Sequence, residues 1–301
     1  MEHNIDINAI PKAPRYIYTA EYIFTNPYYT ASVFLKTNEK ANFHIQEFYE
    51  ICIISRGEGY HVIEETVVKA KRGDVFIVPP GSRHAIIGGE GFDIHYIHLH
   101  PDFIRRYSPI MKSLPSFLSL FEIEPLMRIN GTLYRHLYLE ESALREVLEI
   151  LTPLLRRWQH DSITQISLES YLMVVFTIFC REYEKLQTTV GKNASNDKHF
   201  MDSISHVIEN YNRKITIDDL AHISGLSRTA YIKRFREVTG KSPKQFINKR
   251  RIAEAKKLLL STDRSISKIA EDTGFYDAAH FIKAFTSEIG LSPSVYRAQN
   301  P

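Results

Sequence analysis

Hydrophobic and polar positions follow three successive patterns along this chain. From about Tyr16 to Pro101, short β-branched and aromatic clusters are separated by Gly or Pro turns; examples are Ile51-Cys52-Ile53-Ile54, Val75-Phe76-Ile77-Val78 and Ile94–Leu99. Many short strands punctuated this way predict a small β-barrel or sandwich. Near Pro109–Pro125 the pattern is irregular. Beyond Leu139 the spacing turns helical: Leu144, Val147, Leu148, Leu151, Leu154 and Leu155 recur at three and four, with Pro153 as a kink point. A second helix, Ile163–Tyr183, carries Ile166, Leu168, Leu172, Val175, Phe176 and Phe179. These two helices are placed to cover one side of the barrel and also to supply a dimer seam. Leu186–Lys198 is small, polar and aperiodic, and reads as a flexible linker.

The last hundred residues hold one pattern twice. Ile217-Asp218-Asp219-Leu220-Ala221 runs through Gly225, Phe235, Gly240, Ser242 and Pro243 to Phe246. Ile266-Ser267-Lys268-Ile269-Ala270 runs through Gly274, Phe285, Gly290, Ser292 and Pro293 to Tyr296, with one residue inserted near Tyr276. In the first copy Ile217, Leu220 and Ala221 form a buried stripe behind a Thr216 N-cap, and Gly225 supplies a left-handed turn. Ser227 then caps a helix whose Tyr231, Phe235 and Val238 face inward. This is a helix-turn-helix plan. The outer face of its second helix offers Arg228, Thr229, Ile232, Lys233 and Arg236, which suit guanine edges, phosphates and thymine methyls. In the second copy Asp277 is the cap and the outer face is Ala278, Ala279, His280, Ile282, Lys283 and Thr286, less basic and more apolar. Between the copies Pro243–Leu260 predicts a helical strut of roughly 25 Å. That length suits two recognition helices set near the ~34 Å repeat of successive major grooves.

Charge changes the picture only when divided. The whole chain carries +3, but from Phe200 onward 17 Lys/Arg face 11 Asp/Glu, a net +6, leaving −3 on the residues before it. A basic carboxyl-terminal half on a mildly acidic partner fits contact with phosphate. The two cysteines, Cys52 and Cys180, sit in apolar runs and read as free buried thiols of a reducing compartment. Met1–Pro14 is polar and Pro-interrupted, unlike a signal peptide. The longest apolar run, Tyr171–Cys180, is about half a membrane span. A soluble cytoplasmic protein without membrane contact is expected.

The segment Ser265-Ile266-x-x-Ile269-Ala270-x-x-x-Gly274-Phe275-x-Asp277-x-x-x-Phe281-x-x-x-Phe285-x-x-x-x-Gly290-x-Ser292-Pro293-x-x-Tyr296-Arg297 resembles the signature of the AraC/XylS family of bacterial transcription regulators. The resemblance implies two recognition helices in adjacent major grooves. By position Ser227, Arg228, Thr229, Ile232, Lys233 and Arg236 form the first DNA-binding set. Asp277, Ala278, Ala279, His280, Ile282 and Lys283 form the second. Ala278 and Ala279 depart from the polar residues often found there, so direct readout falls mainly to the first helix.

Gly73, then Pro79-x-Gly81-x-x-His84, resembles the second cupin motif, and His44-x-Gln46 with Glu50 and Gly57 resembles the first. The implied fold class is therefore α+β multidomain: an amino-terminal cupin barrel with a helical connector, then an all-α domain with two helix-turn-helix units. His44, Glu50 and His84 are three potential metal ligands, but Gln46 stands where cupin enzymes place a second His and is a poor ligand. No metal, cofactor or catalytic residue is assigned. The resemblance instead implies a small-molecule effector, a sugar in sugar-responsive members. Arg56 resembles the sugar-contacting arginine of the arabinose-responsive member, and Tyr96 stands at its stacking aromatic. His98 shares parity with Tyr96; with His44 and His84 these complete the expected ligand-binding set.

The expected domains are a sensor over 1–135, a helical connector and dimerisation element over 136–185, a linker over 186–198 and a DNA-binding domain over 199–301. The function they imply is a ligand-responsive activator of carbohydrate-utilisation genes, binding double-stranded DNA at tandem half-sites as a homodimer, with RNA polymerase as a further partner. Two other readings stay open: a metal-dependent cupin enzyme fused to a helical domain, and a DNA-binding protein that senses no ligand.

Overall fold

A computed structural model describes residues 16–24, 29–38, 43–114, 116–129, 136–155, 162–188 and 192–299. The Met1–Pro14 segment lies outside them. The chain divides into two compact units, Met1–Thr189 and Val190–Pro301.

The first unit contains β1 (Tyr16–Tyr18), α1 (Ala20–Ile23), β2 (Ala31–Lys36), β3 (His44–Gln46), β4 (Tyr49–Arg56), β5 (Glu58–Ile63), β6 (Thr66–Lys71), β7 (Asp74–Val78), β8 (Arg83–Ile87) and β9 (Asp93–Leu99). Then follow α2 (Pro101–Met111), a π-helical turn (Ser119–Ile123) running into α3 (Glu124–Ile129), β10 (Leu137–Tyr138), α4 (Glu141–Leu155) and α5 (Ser162–Thr188). The strands form two five-stranded sheets, ordered β1-β3-β8-β5-β6 and β10-β7-β4-β9-β2. Antiparallel register lines up inward side chains in rows across the second sheet. Val78, Glu50, His98 and Ser32 form one row; Phe76, Cys52, Tyr96 and Phe34 form the next. Facing them, β5, β8 and β3 bring Ile63, His84 and His44 into line. Strict alternation produces this: one face of each strand points into the barrel, and helices meet β2, β7, β9 and β10 of the second sheet.

Two stretches differ from the sequence pattern. The irregular region begins with α2, which contains Pro109. Pro109 costs one backbone hydrogen bond near the helix end, where the last turn has little to lose. The segment read as a linker is largely helical: α5 continues to Thr188 and α6 (Lys192–Asn210) starts four residues later. A polar sequence without an apolar stripe gave no period to detect.

Helix α5 is bound to the barrel through one carboxylate. Glu169, 3 % exposed, accepts hydrogen bonds from Thr30, from Tyr107 Oη at 2.5 Å and from Gln165 at 3.1 Å, beside Arg106 at 3.2 Å. Burial raises its pKa, and these donors outweigh burial and hold it below the ordinary carboxylate value. Cys52 and Cys180 are both buried thiols; Cys52 Sγ donates to Glu50 at 3.4 Å, and burial pushes the Cys180 thiol up to about 12. Among the described residues no helix is long and apolar enough to cross a membrane.

The second unit is α6, α7 (Ile217–Ser224), α8 (Arg228–Thr239), α9 (Pro243–Ser261), α10 (Ile266–Asp272), α11 (Ala278–Ile289) and α12 (Pro293–Gln299). Its first half buries Phe200, Ile204, Leu220, Tyr231 and Phe235. Its second half is a cluster of Ile252, Ala255, Leu259, Ile269, Ala270, Phe275, Phe281 and Phe285. Helix α9 contributes to both cores: the Phe246 ring packs edge-on against Phe235 of the first, and Ile252, Ala255 and Leu259 lie in the second.

Candidate functional site

The helix-turn-helix units are fixed by local chemistry. Thr216 and Asp219 form a reciprocal capping box at α7, and Gly225 ends that helix at φ 67°. Ser227 then caps α8 by accepting from the Ala230 N–H. In the second unit Ser265 caps α10, Gly274 turns at φ 83°, and Asp277 accepts from the His280 N–H at 2.7 Å. Both recognition helices end on a left-handed glycine, Gly240 and Gly290. The side chains of Ser227 and Asp277, expected to meet DNA, are thus engaged in aiming their helices.

The remaining expected contacts share outer faces. Arg228, Thr229, Lys233 and Arg236 are exposed and Ile232 is half-buried; with Glu237 they line one open depression. Arg228 is held at 2.6 Å by Asp218, a surface pair worth little that phosphate can displace. On α11 Ala279, His280, Ile282 and Lys283 are exposed, Ala278 is half-buried, and the His280 ring packs edge-on against Phe275. Sequence reasoning passed over Tyr276. It is the inserted residue of the second copy, it directly precedes the α11 cap, and it is 94 % exposed. The signal was present in the repeat offset.

Inside the barrel, Glu50 is the centre of a buried polar chain. His98 Nε2 donates to it at 2.8 Å, and His84 Nε2 lies 3.4 Å from its other oxygen, off-line for a hydrogen bond. Behind His84 stands His61, Nε2 to Nδ1 at 3.2 Å, and behind His61 stands Arg128, Nη1 to Nδ1 at 3.1 Å. Arg128 is fully buried; it also reaches the Ile77 carbonyl and Glu124 at 3.0 Å. Arginine can only donate, so His61 Nδ1 accepts, His61 Nε2 donates to His84 Nδ1, and the remaining proton of His84 sits on Nε2. Burial drives the His61 pKa well below its ordinary value and that of His84 down to about 3, so both rings are neutral. Burial raises that of Glu50, but the His98 hydrogen bond and the surrounding rings of His84, His98 and His44 together outweigh burial and hold the carboxyl well below its usual range.

Four of the five expected ligand contacts converge here. His44 lies against His84 with ring centroids 4.3 Å apart, and Tyr96 stacks on Phe34 at 5.1 Å, beside His98. Arg56 does not join them. The register shifts between Ile54 and Arg56, and its side chain, 73 % exposed, lies 4.0 Å from Asp93 at the end of β4. Sequence reasoning missed Arg128 and His61 and saw in Gln46 only a departure from a motif.

His44, Glu50 and His84 can present ligand atoms within 4.8 Å of one another. The donor chemistry does not fit a cation. The nitrogen of His84 that faces Glu50 carries a proton, and Arg128 fixes it there through His61; a metal needs that lone pair.

Two family descriptions match the chain: an AraC-like ligand binding domain over residues 36–128 and a helix-turn-helix domain over residues 220–299. The HTH-type transcriptional activator RhaS of Escherichia fergusonii is 22% identical over 255 residues, 84% of this chain and 86% of that protein. The raffinose operon transcriptional regulatory protein RafR of Pediococcus pentosaceus is 27% identical over 257 residues, again 84% and 86%. Among solved structures, the DNA-binding domain of AdpA in complex with a target DNA is 28% identical, covers 33% of this chain and 90% of that one, and superposes with a TM-score of 0.33.

Proposed function

The chain belongs to the AraC/XylS family of transcription regulators, and on that premise we propose that it activates carbohydrate-utilisation genes when a sugar occupies its barrel. The observation that supports this most directly is the pairing of two cap-locked helix-turn-helix units with a barrel whose interior carries a polar row beside an aromatic one. Arg228, Thr229, Ile232, Lys233 and Arg236 read bases and phosphates from α8. Ala278, Ala279, His280, Ile282 and Lys283 dock α11 more through shape and methyl contacts. The effector binds among Tyr96, His98, His44 and His84. It shifts the population of arrangements available to the two units.

The protein acts as a homodimer in the bacterial cytoplasm, with RNA polymerase as its further partner. Ile166, Tyr171 and Val174, exposed on α5, supply the dimer seam. The family relation argues for a regulator and against an enzyme, and the proton that His61 leaves on His84 Nε2 argues against a metal at the His44, Glu50 and His84 cluster. Metal analysis of the purified protein separates the two, because stoichiometric iron or zinc lost in His44→Ala supports the enzyme. The regulator reading is tested by a mobility shift with DNA upstream of the neighbouring genes, with and without neutral sugars. Sugar-dependent affinity supports it. Binding that ignores every sugar leaves a DNA-binding protein without a sensor.

A further inference from the structure

On the reading of α8 as a recognition helix, we propose that Asp218 is a positioning residue for DNA specificity. From α7 its carboxylate holds Arg228 in the pose that reads one guanine.

Arg228 is the first residue of α8, directly after the Ser227 cap. Residues at this end of a recognition helix are the ones that reach base edges. Its Nη1 donates to Asp218 Oδ2 at 2.6 Å, and both side chains are exposed. An exposed pair adds little to stability; its effect falls on the guanidinium itself. An untethered arginine samples many rotamers and meets phosphate as readily as a base. With Nη1 tied to the carboxylate, Nε and Nη2 form the two-donor fork that matches the N7 and O6 acceptors of guanine. These acceptors are neutral and let Asp218 stay in place. A phosphate brings a full negative charge and must either displace the carboxylate or lie against it.

Asp218 is spare for the start of α7. The reciprocal capping box there is made by Thr216 and Asp219. The second copy of the motif forms the equivalent helix, α10, with no acidic residue in its first turn. In register with Asp218 that copy has Ser267, and in register with Arg228 it has Ala278. The acid thus occurs in the copy that has the arginine, and both are missing together from the other. A carboxylate beside a DNA-facing helix repels the phosphate backbone, a cost to non-specific affinity. Tethering Arg228 turns that cost into selectivity, because the same charge that opposes phosphate leaves the guanine edge accessible.

The test uses the full chain. Sites are selected from a random double-stranded DNA library with the wild-type protein. Fluorescence anisotropy then measures affinity for the best site, for its single-base variants and for random DNA, each at several salt concentrations. Asp218→Asn, Arg228→Ala and the double variant are compared with wild type. The expected result is one guanine that wild type prefers by at least about tenfold, a preference abolished in Arg228→Ala and cut at least about threefold in Asp218→Asn. Asp218→Asn should bind random DNA no more weakly than wild type, since a negative charge has left the interface. The double variant should discriminate no worse than Arg228→Ala alone. An equal loss of affinity for every sequence in Asp218→Asn makes the residue a structural part of α7 and overturns the proposal. Full guanine preference in Asp218→Asn overturns it too. If Arg228→Ala lowers the salt dependence and leaves every base preference intact, Arg228 is a phosphate contact; the proposal falls and α8 remains a recognition helix. If wild type selects no common sequence, the recognition reading fails and this proposal with it.

Discussion

Arg128 Nη1 donates to His61 Nδ1 at 3.1 Å, so a buried cation from α3 determines which nitrogen of a histidine on β5 carries the proton. The same guanidinium meets Glu124 at 3.0 Å, with both side chains essentially inaccessible. Arg128→Met therefore leaves Glu124 charged and alone, and His61 without its donor. We expect a loss of about 3–5 kcal/mol in urea unfolding. Arg128→Met combined with Glu124→Leu removes the isolated charge and should recover most of that loss. A double variant no better than the single one would place the cost in packing alone.

Acid should weaken the barrel before it titrates carboxylates. His61 and His84 are held neutral by burial, His84 with its pKa down to about 3. The unfolded chain takes up protons on these rings below pH about 6.5, and the folded chain does not. Their contribution to stability is thus complete above that pH and is lost as pH falls toward the folded value. Each ring that stays neutral lowers stability by about 2 kcal/mol between pH 7.5 and 5. Chemical denaturation at a series of pH values measures it; a flat profile from 7.5 to 5 would contradict neutral rings.

The two turn glycines should differ in their tolerance of alanine. At Gly225 a Cβ meets nothing within 4 Å, so Gly225→Ala pays only for its left-handed backbone, about 1 kcal/mol. At Gly274 the same Cβ lies 2.6 Å from the Asn212 carbonyl oxygen. Gly274→Ala must also move the α6–α7 connection, and we expect at least twice the loss. Melting temperatures of the two variants settle the order.

DNA contacts should separate by class. Lys233, 79 % exposed on α8, is expected to read one base position, so Lys233→Ala costs ~1–3 kcal/mol on the preferred site and relaxes choice there. Tyr276→Phe should weaken preferred and random DNA alike by under about 1 kcal/mol, through loss of a phosphate contact from its hydroxyl. Fluorescence anisotropy on both DNAs reads the difference. Equal losses for Lys233→Ala on both would make it a phosphate contact instead.

Much of this was legible in the residues because the physics is local. Caps at Thr216, Ser227 and Asp277 and the turns at Gly225 and Gly274 are decided within a few residues; the family resemblance singled out Tyr96, and period-two alternation put His98 on the same face. What escaped depends on distance along the chain. Arg128 meets His61 across 67 residues, from the short helix α3 that follows the π-helical turn, a stretch with no readable period. Gln46 was visible as an oddity, but its complete burial is a property of the closed barrel. Arg56 kept the inward parity of β4 in the sequence and lost it to a register shift at Ile54.

Helix α9 has a consequence for how binding sites change over time. It is one continuous helix that carries one recognition unit at each end, with Phe246 against Phe235 of the first core and Leu259 in the second. One residue added to or removed from α9 turns the second unit by about 100° and shifts it by about 1.5 Å. Recognition helix α11 would then face away from the groove that α8 implies. The helix therefore works as a phase setting: surface residues on α8 and α11 can drift to new operators, but the length of α9 has almost no neighbouring value that still reads DNA.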